Sequence, residues 1–123
     1  MQKVSICFGD AAEGDLLRQY VKRYYTGKKL TVLVDECRNW PELAISLKKE
    51  EKDVVIVALN GVKGMDTVVC SYPMVNRMIW ISDMDFALQS FRLCVTYFFM
   101  KPITYMKMER ALDACRIPGN ISG

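Results

Sequence analysis

Polar or conformationally special residues stand where apolar runs of this chain end. Lys101 immediately precedes Pro102, and Ser82 closes the run Met78-Ile-Trp-Ile-Ser82. An ammonium and a hydroxyl held side by side are both donors, and such a pair suits the oxygens of a phosphate. A proline just after a strand can hold a cis bond, which would turn the lysine back over the edge of a sheet. A solvent-exposed lysine and a helix-capping serine fit the same residues, and the pattern alone leaves both readings open. The first run ends Phe8-Gly9-Asp10. The third, Asp53-Val-Val-Ile-Val-Ala58, ends on a methyl group. There is no histidine and no evident pairing of a nucleophile with a base, so turnover as an enzyme is not expected.

The elements that must position these residues follow from apolar periodicity. Strands are predicted over 3–8, 30–34, 54–59, 78–81 and 95–99. The third is apolar throughout, as a strand covered on both faces is. Helices are predicted over 12–25, stopped by Gly27; from Pro41, with Leu43, Ala44 and Leu47 inward; over 66–75; from a Ser82 or Asp83 cap to about 93; and over 105–115. The fourth of these would turn Met84, Ala87, Leu88 and Phe91 inward. Asn60, Gly61 and Gly64 read as a loop. This alternation implies an α/β, three-layer, doubly wound parallel sheet of five strands. Its functional crevice would lie at the carboxyl ends of the strands.

The 123 residues, 51% apolar and 25% charged, fit one folded domain. No apolar stretch is long enough to span a bilayer, and no signal peptide is expected. Cysteines 7, 37, 70, 94 and 115 form no CxxC pair and read as thiols of a reducing, cytoplasmic compartment. A net charge of +3 is too small to imply nucleic-acid binding. Tyr20, Tyr24 and Tyr25 lie among Lys22, Arg23, Lys28 and Lys29; a stacking surface for single strands is the lesser reading, buried tyrosine beside solvated lysine the greater. The methionines read as core. Trp40 fits either a contact site or a cap over the second helix.

In order along residues 3–115, several stretches resemble the response-regulator receiver domains of two-component signalling, the CheY-like superfamily. They are Val4-Ser-Ile-Cys-Phe-Gly-Asp10, Lys52-Asp-Val-Val-Ile-Val-Ala58, Met78-Ile-Trp-Ile-Ser82, Phe86-Ala-Leu-Gln-Ser-Phe91 and Val95-Thr-Tyr-Phe-Phe-Met-Lys-Pro-Ile103. The likeness is greatest to receivers joined to LytTR-type DNA-binding domains. It implies strand order 2-1-3-4-5. It also implies a site in which an acidic pair and a third-strand aspartate hold Mg²⁺, and the aspartate takes a phosphoryl group from a partner kinase in a phosphorelay. Here Ser82, Lys101 and Pro102 match the retained pocket residues. Phe8 and Gly9 fall on the acidic pair and Ala58 on the phosphoacceptor, which leaves Asp10 as a possible residual acid. A methyl group has no lone pair, and one carboxylate makes a poor magnesium site. No metal or cofactor is therefore expected. Phe8 is expected to pack against Ala58 and lock the pocket, with Asp10 or Asp83 beside Lys101.

A pseudo-receiver of this kind would act through protein contacts or as a homodimer. The expected surface holds Asp85, Gln89, Arg92, Tyr97, Lys107 and Arg110. A longer parent chain with a C-terminal DNA-binding domain would make it a transcription regulator, residues 1–116 being the receiver-like domain and 117–123 a tail or the start of a linker. No membrane or direct nucleic-acid contact is expected. Two alternatives are a phosphorylatable receiver using a displaced acid such as Asp10 or Asp66, and a small-ligand binder of flavodoxin-like shape. Gly9 and Gly14 are weak evidence for the latter.

Overall fold

A computed structural model describes residues 1–116; the expected tail over 117–123 lies outside the described residues. The chain runs β1 (Gln2–Phe8), α1 (Ala11–Gly27), β2 (Val32–Cys37), α2 (Trp40–Lys49), β3 (Val54–Ala58), α3 (Gly61–Ser71), a 3₁₀ turn (Tyr72–Met74), β4 (Met78–Ser82), α4 (Ala87–Arg92), β5 (Tyr97–Met100) and α5 (Tyr105–Arg116). All five strands are parallel, in the order β2-β1-β3-β4-β5. This is the doubly wound α/β sheet implied by the alternation of elements.

Because side chains alternate across a strand, the central strands feed two cores. Val4, Ile6, Phe8, Val54, Ile56, Ala58, Ile79 and Ile81 face one layer, shared with Leu17, Val21, Tyr24 and Tyr25 of α1 and Met108, Ala111 and Leu112 of α5. Cys7, Cys37, Val55, Val57 and Trp80 face the other, with Leu43 of α2, Val68 of α3 and Phe86. Trp80 is wholly buried and stacks on Phe86 at 5.0 Å. In α1 the tyrosines are structural: Tyr24 and Tyr25 are buried, and Tyr20 meets Tyr105 edge-on at 5.5 Å. Arg23 lies 3.8 Å over the Tyr105 ring. No open stacking surface remains there.

Several boundaries differ from the sequence reading for physical reasons. β2 runs to Cys37 because Asp35 and Glu36 lie in a ladder beside Ser5 and Ile6. Helix α3 begins at Gly61, not at 66. Gly61 takes a φ of +58°, and its amide donates to Asp83 Oδ1 at 3.0 Å, so the expected loop is the first turn of the helix. α4 starts late, at Ala87, whose amide donates to Asp85 Oδ1 rather than to Ser82 or Asp83. α2 is capped as Pro41 predicts, with Glu42 N donating to Asn39 Oδ1 at 3.0 Å.

Candidate functional site

Parallel pairing brings the strand ends to one edge. Phe8 of β1 lies opposite Ala58 of β3, and Ser82 of β4 opposite Met100 of β5. The Lys101 amide donates to the Ser82 carbonyl at 2.9 Å, and the Lys101–Pro102 bond is cis. A cleft of ≈ 830 Å³ opens above this edge, with Ala58, Gly9, Asp10, Lys101 and Trp40 in its walls.

The ends of β1 and β3 supply no side-chain oxygen. Ala58 is 1% exposed and Phe8 5%, and both belong to the core layer under α1. The Phe8 ring lies so close to α1 that a Cβ on Gly14 would come within 2.4 Å of it. Gly14 is thus the cradle of Phe8, and was not singled out for that role from the sequence. Phe8 and Ala58 share one buried layer, so Phe8 does not point into solvent, but its ring lies outside the cleft, which stays open over Ala58.

Arg38 occupies the space beside the position of the acidic pair. Its Nη2 donates to the Gly9 carbonyl at 2.7 Å and its Nε to the Phe8 carbonyl at 3.3 Å. Its guanidinium carbon lies 4.9 Å from the centre of the Phe8 ring. Sequence reasoning missed this residue because it ended the second strand at 34. With β2 running to Cys37, Arg38 stands at the carboxyl edge.

Lys101 also has a partner that the sequence reading did not name. Its Nζ donates to Glu13 Oε1 at 2.6 Å, across a pair whose side chains are 15% and 26% exposed. Glu13 lies in the first turn of α1, one turn nearer the cleft than a pattern of apolar residues can show. The expected companions lie elsewhere. Asp83 accepts from Gly61 N and from Ser82 Oγ. Asp10 is exposed at the N-terminus of α1, in the cleft wall. Ser82 is wholly buried, and its hydroxyl accepts from Met84 N at 3.2 Å within its own turn. Ser82 and Lys101 are therefore joined through the backbone and do not form a paired donor site.

These residues do not fit magnesium. An octahedral ion needs several converging oxygens, whereas Phe8, Gly9 and Ala58 give none from their side chains. The guanidinium of Arg38 already holds the carbonyls at the end of β1. Below the cleft, burial and the neighbouring Cys37 push the Cys7 thiol up to about 12, so it is neutral at physiological pH.

The expected contact surface is only partly free. Lys107 Nζ donates to the carbonyls of Met100 and Pro102, both at 3.0 Å. Tyr97 is half-buried against the core. Asp85, Arg92 and Arg110 are exposed, and Gln89 is half-buried. The apolar residues expected to point inward from α4 point out: Phe91 is 81% exposed, Leu88 57% and Met84 49%. Met74, Met100 and Met106 are exposed too, while Met78 and Met108 are core. Met100 and Met106 add to the apolar surface along β5 and α5. α4 is six residues long, and the wall beneath it is filled by Phe86 and Ser90.

No family model and no curated protein sequence matches the chain. Solved structures do share its fold. A two-component response regulator from Clostridium difficile matches with a TM-score of 0.78 at 13% identity, over 96% of this chain and 99% of that one. The non-phosphorylated HemR receiver domain from Leptospira biflexa matches at 0.74 and 14%, over 95% and 96%. The pilus assembly protein CpaE from Caulobacter crescentus matches at 0.72 and 11%, over 93% and 98%. The chain thus has the flavodoxin-like fold of CheY-like receiver domains. None of the described helices is long and apolar enough to cross a membrane.

Proposed function

We propose that this chain is an atypical receiver domain of a two-component-type regulator, one that takes no phosphoryl group and signals through protein contacts. The observation that carries the reading is that the ends of β1 and β3 carry no side-chain carboxylate and that a cation holds the end of β1. Arg38 is bound to the Phe8 and Gly9 carbonyls, Lys101 is neutralised by Glu13, and Ala58 ends β3. A phosphoacceptor needs an oxygen nucleophile and a counter-ion for the transferred group. The ends of β1 and β3 offer neither.

The output surface in this reading is α4, β5 and the start of α5. Leu88 and Phe91 supply an apolar centre, and Asp85, Arg92 and Arg110 a charged rim, the arrangement found at protein interfaces. The partner is a second copy or another protein of the same pathway. Residues 1–116 then form the whole receiver-like unit, and a DNA-binding domain of LytTR type in a longer parent chain would make the protein a cytoplasmic transcription regulator.

The competing reading, phosphorylation on a displaced acid, has one observation in its favour: Asp10 and Asp66 both line the cleft. Incubation with acetyl phosphate and Mg²⁺, followed by intact-mass measurement, separates the two. The expected spectrum is unchanged. A stable gain of one phosphoryl group, mapped to Asp10 or Asp66, would replace this proposal with the displaced-acid one.

A further inference from the structure

The cleft is large for a site with no phosphoryl group to hold. At ≈ 830 Å³ it falls in the range of small-molecule pockets, about 300–1,000 Å³. Ala58 and Leu59 form an apolar floor, and Trp40, half-buried at the start of α2, gives a flat aromatic wall. Arg38 is pinned by two backbone carbonyls and forms no ion pair among the described residues. Its remaining N–H groups are left for an acceptor. Lys63, in the first turn of α3, adds a second cation to the wall. The helices α1, α2 and α3 all begin at this edge, so their positive ends point toward the opening. Asp10 and Asp66 lie in the wall as well and balance Arg38 and Lys63 in formal charge, as Glu13 balances Lys101, so the positive helix ends decide the sign.

We propose that this cleft binds a planar organic anion of nucleotide size, its ring against Trp40 and its anionic group on Arg38 and Lys63. The proposal rests on the reading of the cleft as free of phosphoryl transfer, and gives that cleft an input: a diffusible small molecule in the place of a kinase. A ring without the anion would lose the charge-assisted hydrogen bonds, and a bare anion would lose the apolar floor and the aromatic wall.

The experiment titrates the protein with adenosine 5′-monophosphate, flavin mononucleotide and indole-3-acetate at fixed ionic strength. Backbone amide shifts of Gly9, Arg38, Leu59 and Lys63 are followed by NMR. Adenosine alone and inorganic phosphate alone are the controls. At least one of the three anions is expected to give saturable shifts confined to these amides, with each control weaker by roughly tenfold or more. The variants Arg38→Gln and Trp40→Leu, checked for folding by their own amide spectra, are expected to lose that binding by a similar factor. Ala58→Val, which narrows the floor without touching Arg38, is expected to weaken it as well. Absence of saturable shifts with all three anions overturns the proposal. So does equal binding of inorganic phosphate, which would mark an adventitious ion only, and so does undiminished binding by folded Arg38→Gln. The mass measurement with acetyl phosphate reads the phosphoryl question separately, so failure of either idea is visible without the other.

Discussion

At the scale of single residues, three side chains set the character of the cleft, and only one of them was visible in the pattern. Ala58 was legible because a methyl group at the end of an apolar strand is read directly from the sequence. Arg38 and Glu13 were not: each acts through a neighbour distant in sequence, β1 for the first and Lys101 for the second. On the proposed reading, one oxygen placed at the end of β3 should therefore not create a phosphoacceptor. Ala58→Asp is expected to remain unmodified by acetyl phosphate with Mg²⁺, and to lose about 1–3 kcal/mol of stability through burial of a carboxylate, read by urea unfolding. The cradle of Phe8 is open to the same kind of test. Gly14→Ala would press a methyl against the ring and should destabilise by about 1–3 kcal/mol despite its gain in helix propensity. Phe8→Leu in the same chain should recover part of that loss. If Gly14→Ala proves more stable than the parent, the packing account of Phe8 is wrong.

The elements were legible to the extent that apolar periodicity decides them. The unbroken apolar run of β3 was read as a strand covered on both faces, and all five of its residues are buried. β2 was cut short in the reading because an edge strand carries acids, and α3 was started late because its first residue is a glycine at positive φ. The most useful failure concerns α4. Met84, Leu88 and Phe91 suggest a helical stripe, but α4 begins only at Ala87 and is so short that Phe86, Ser90 and the following Leu93 face the layer beneath it. An apolar stripe therefore faces outward. Leu88→Ser and Phe91→Ser are expected to leave unfolding free energy within about 0.5 kcal/mol of the parent, while reducing self-association or partner capture. A large loss of stability in either would mean that the stripe is core after all.

For the whole molecule, two buried layers around one sheet dictate which groups solvent reaches. Cys70 and Cys94 are exposed, and Cys7, Cys37 and Cys115 are buried. Alkylation of the native protein should label the first two alone, and all five once it is unfolded. The same burial shapes stability at alkaline pH. Burial, and then the hydrogen bond to Asp113, push the Tyr24 phenol up to about 12, against roughly 10 in an unfolded chain. A neutral group whose value is raised on folding contributes stability that is complete below about pH 10 and is lost as the pH climbs through the folded value. Cys7 and Cys115, both pushed up to about 12 by burial, act in the same direction. Urea midpoints should therefore begin to fall near about pH 9, where unfolded thiols ionise, and fall more steeply above about pH 10, where Tyr24→Phe should flatten part of the fall.

The central claim of the proposed function is that the end of β1, where Arg38 holds the Phe8 and Gly9 carbonyls, offers a divalent ion no site. It is tested most directly by titrating Mg²⁺ while following the amides of Gly9, Asp10 and Leu59 by NMR. The account predicts only the small, non-saturating drift of rising ionic strength, the same with Mg²⁺ as with Na⁺. Saturable shifts specific to Mg²⁺ at those amides would contradict it, because an ion would then be held where Arg38 leaves it no ligands.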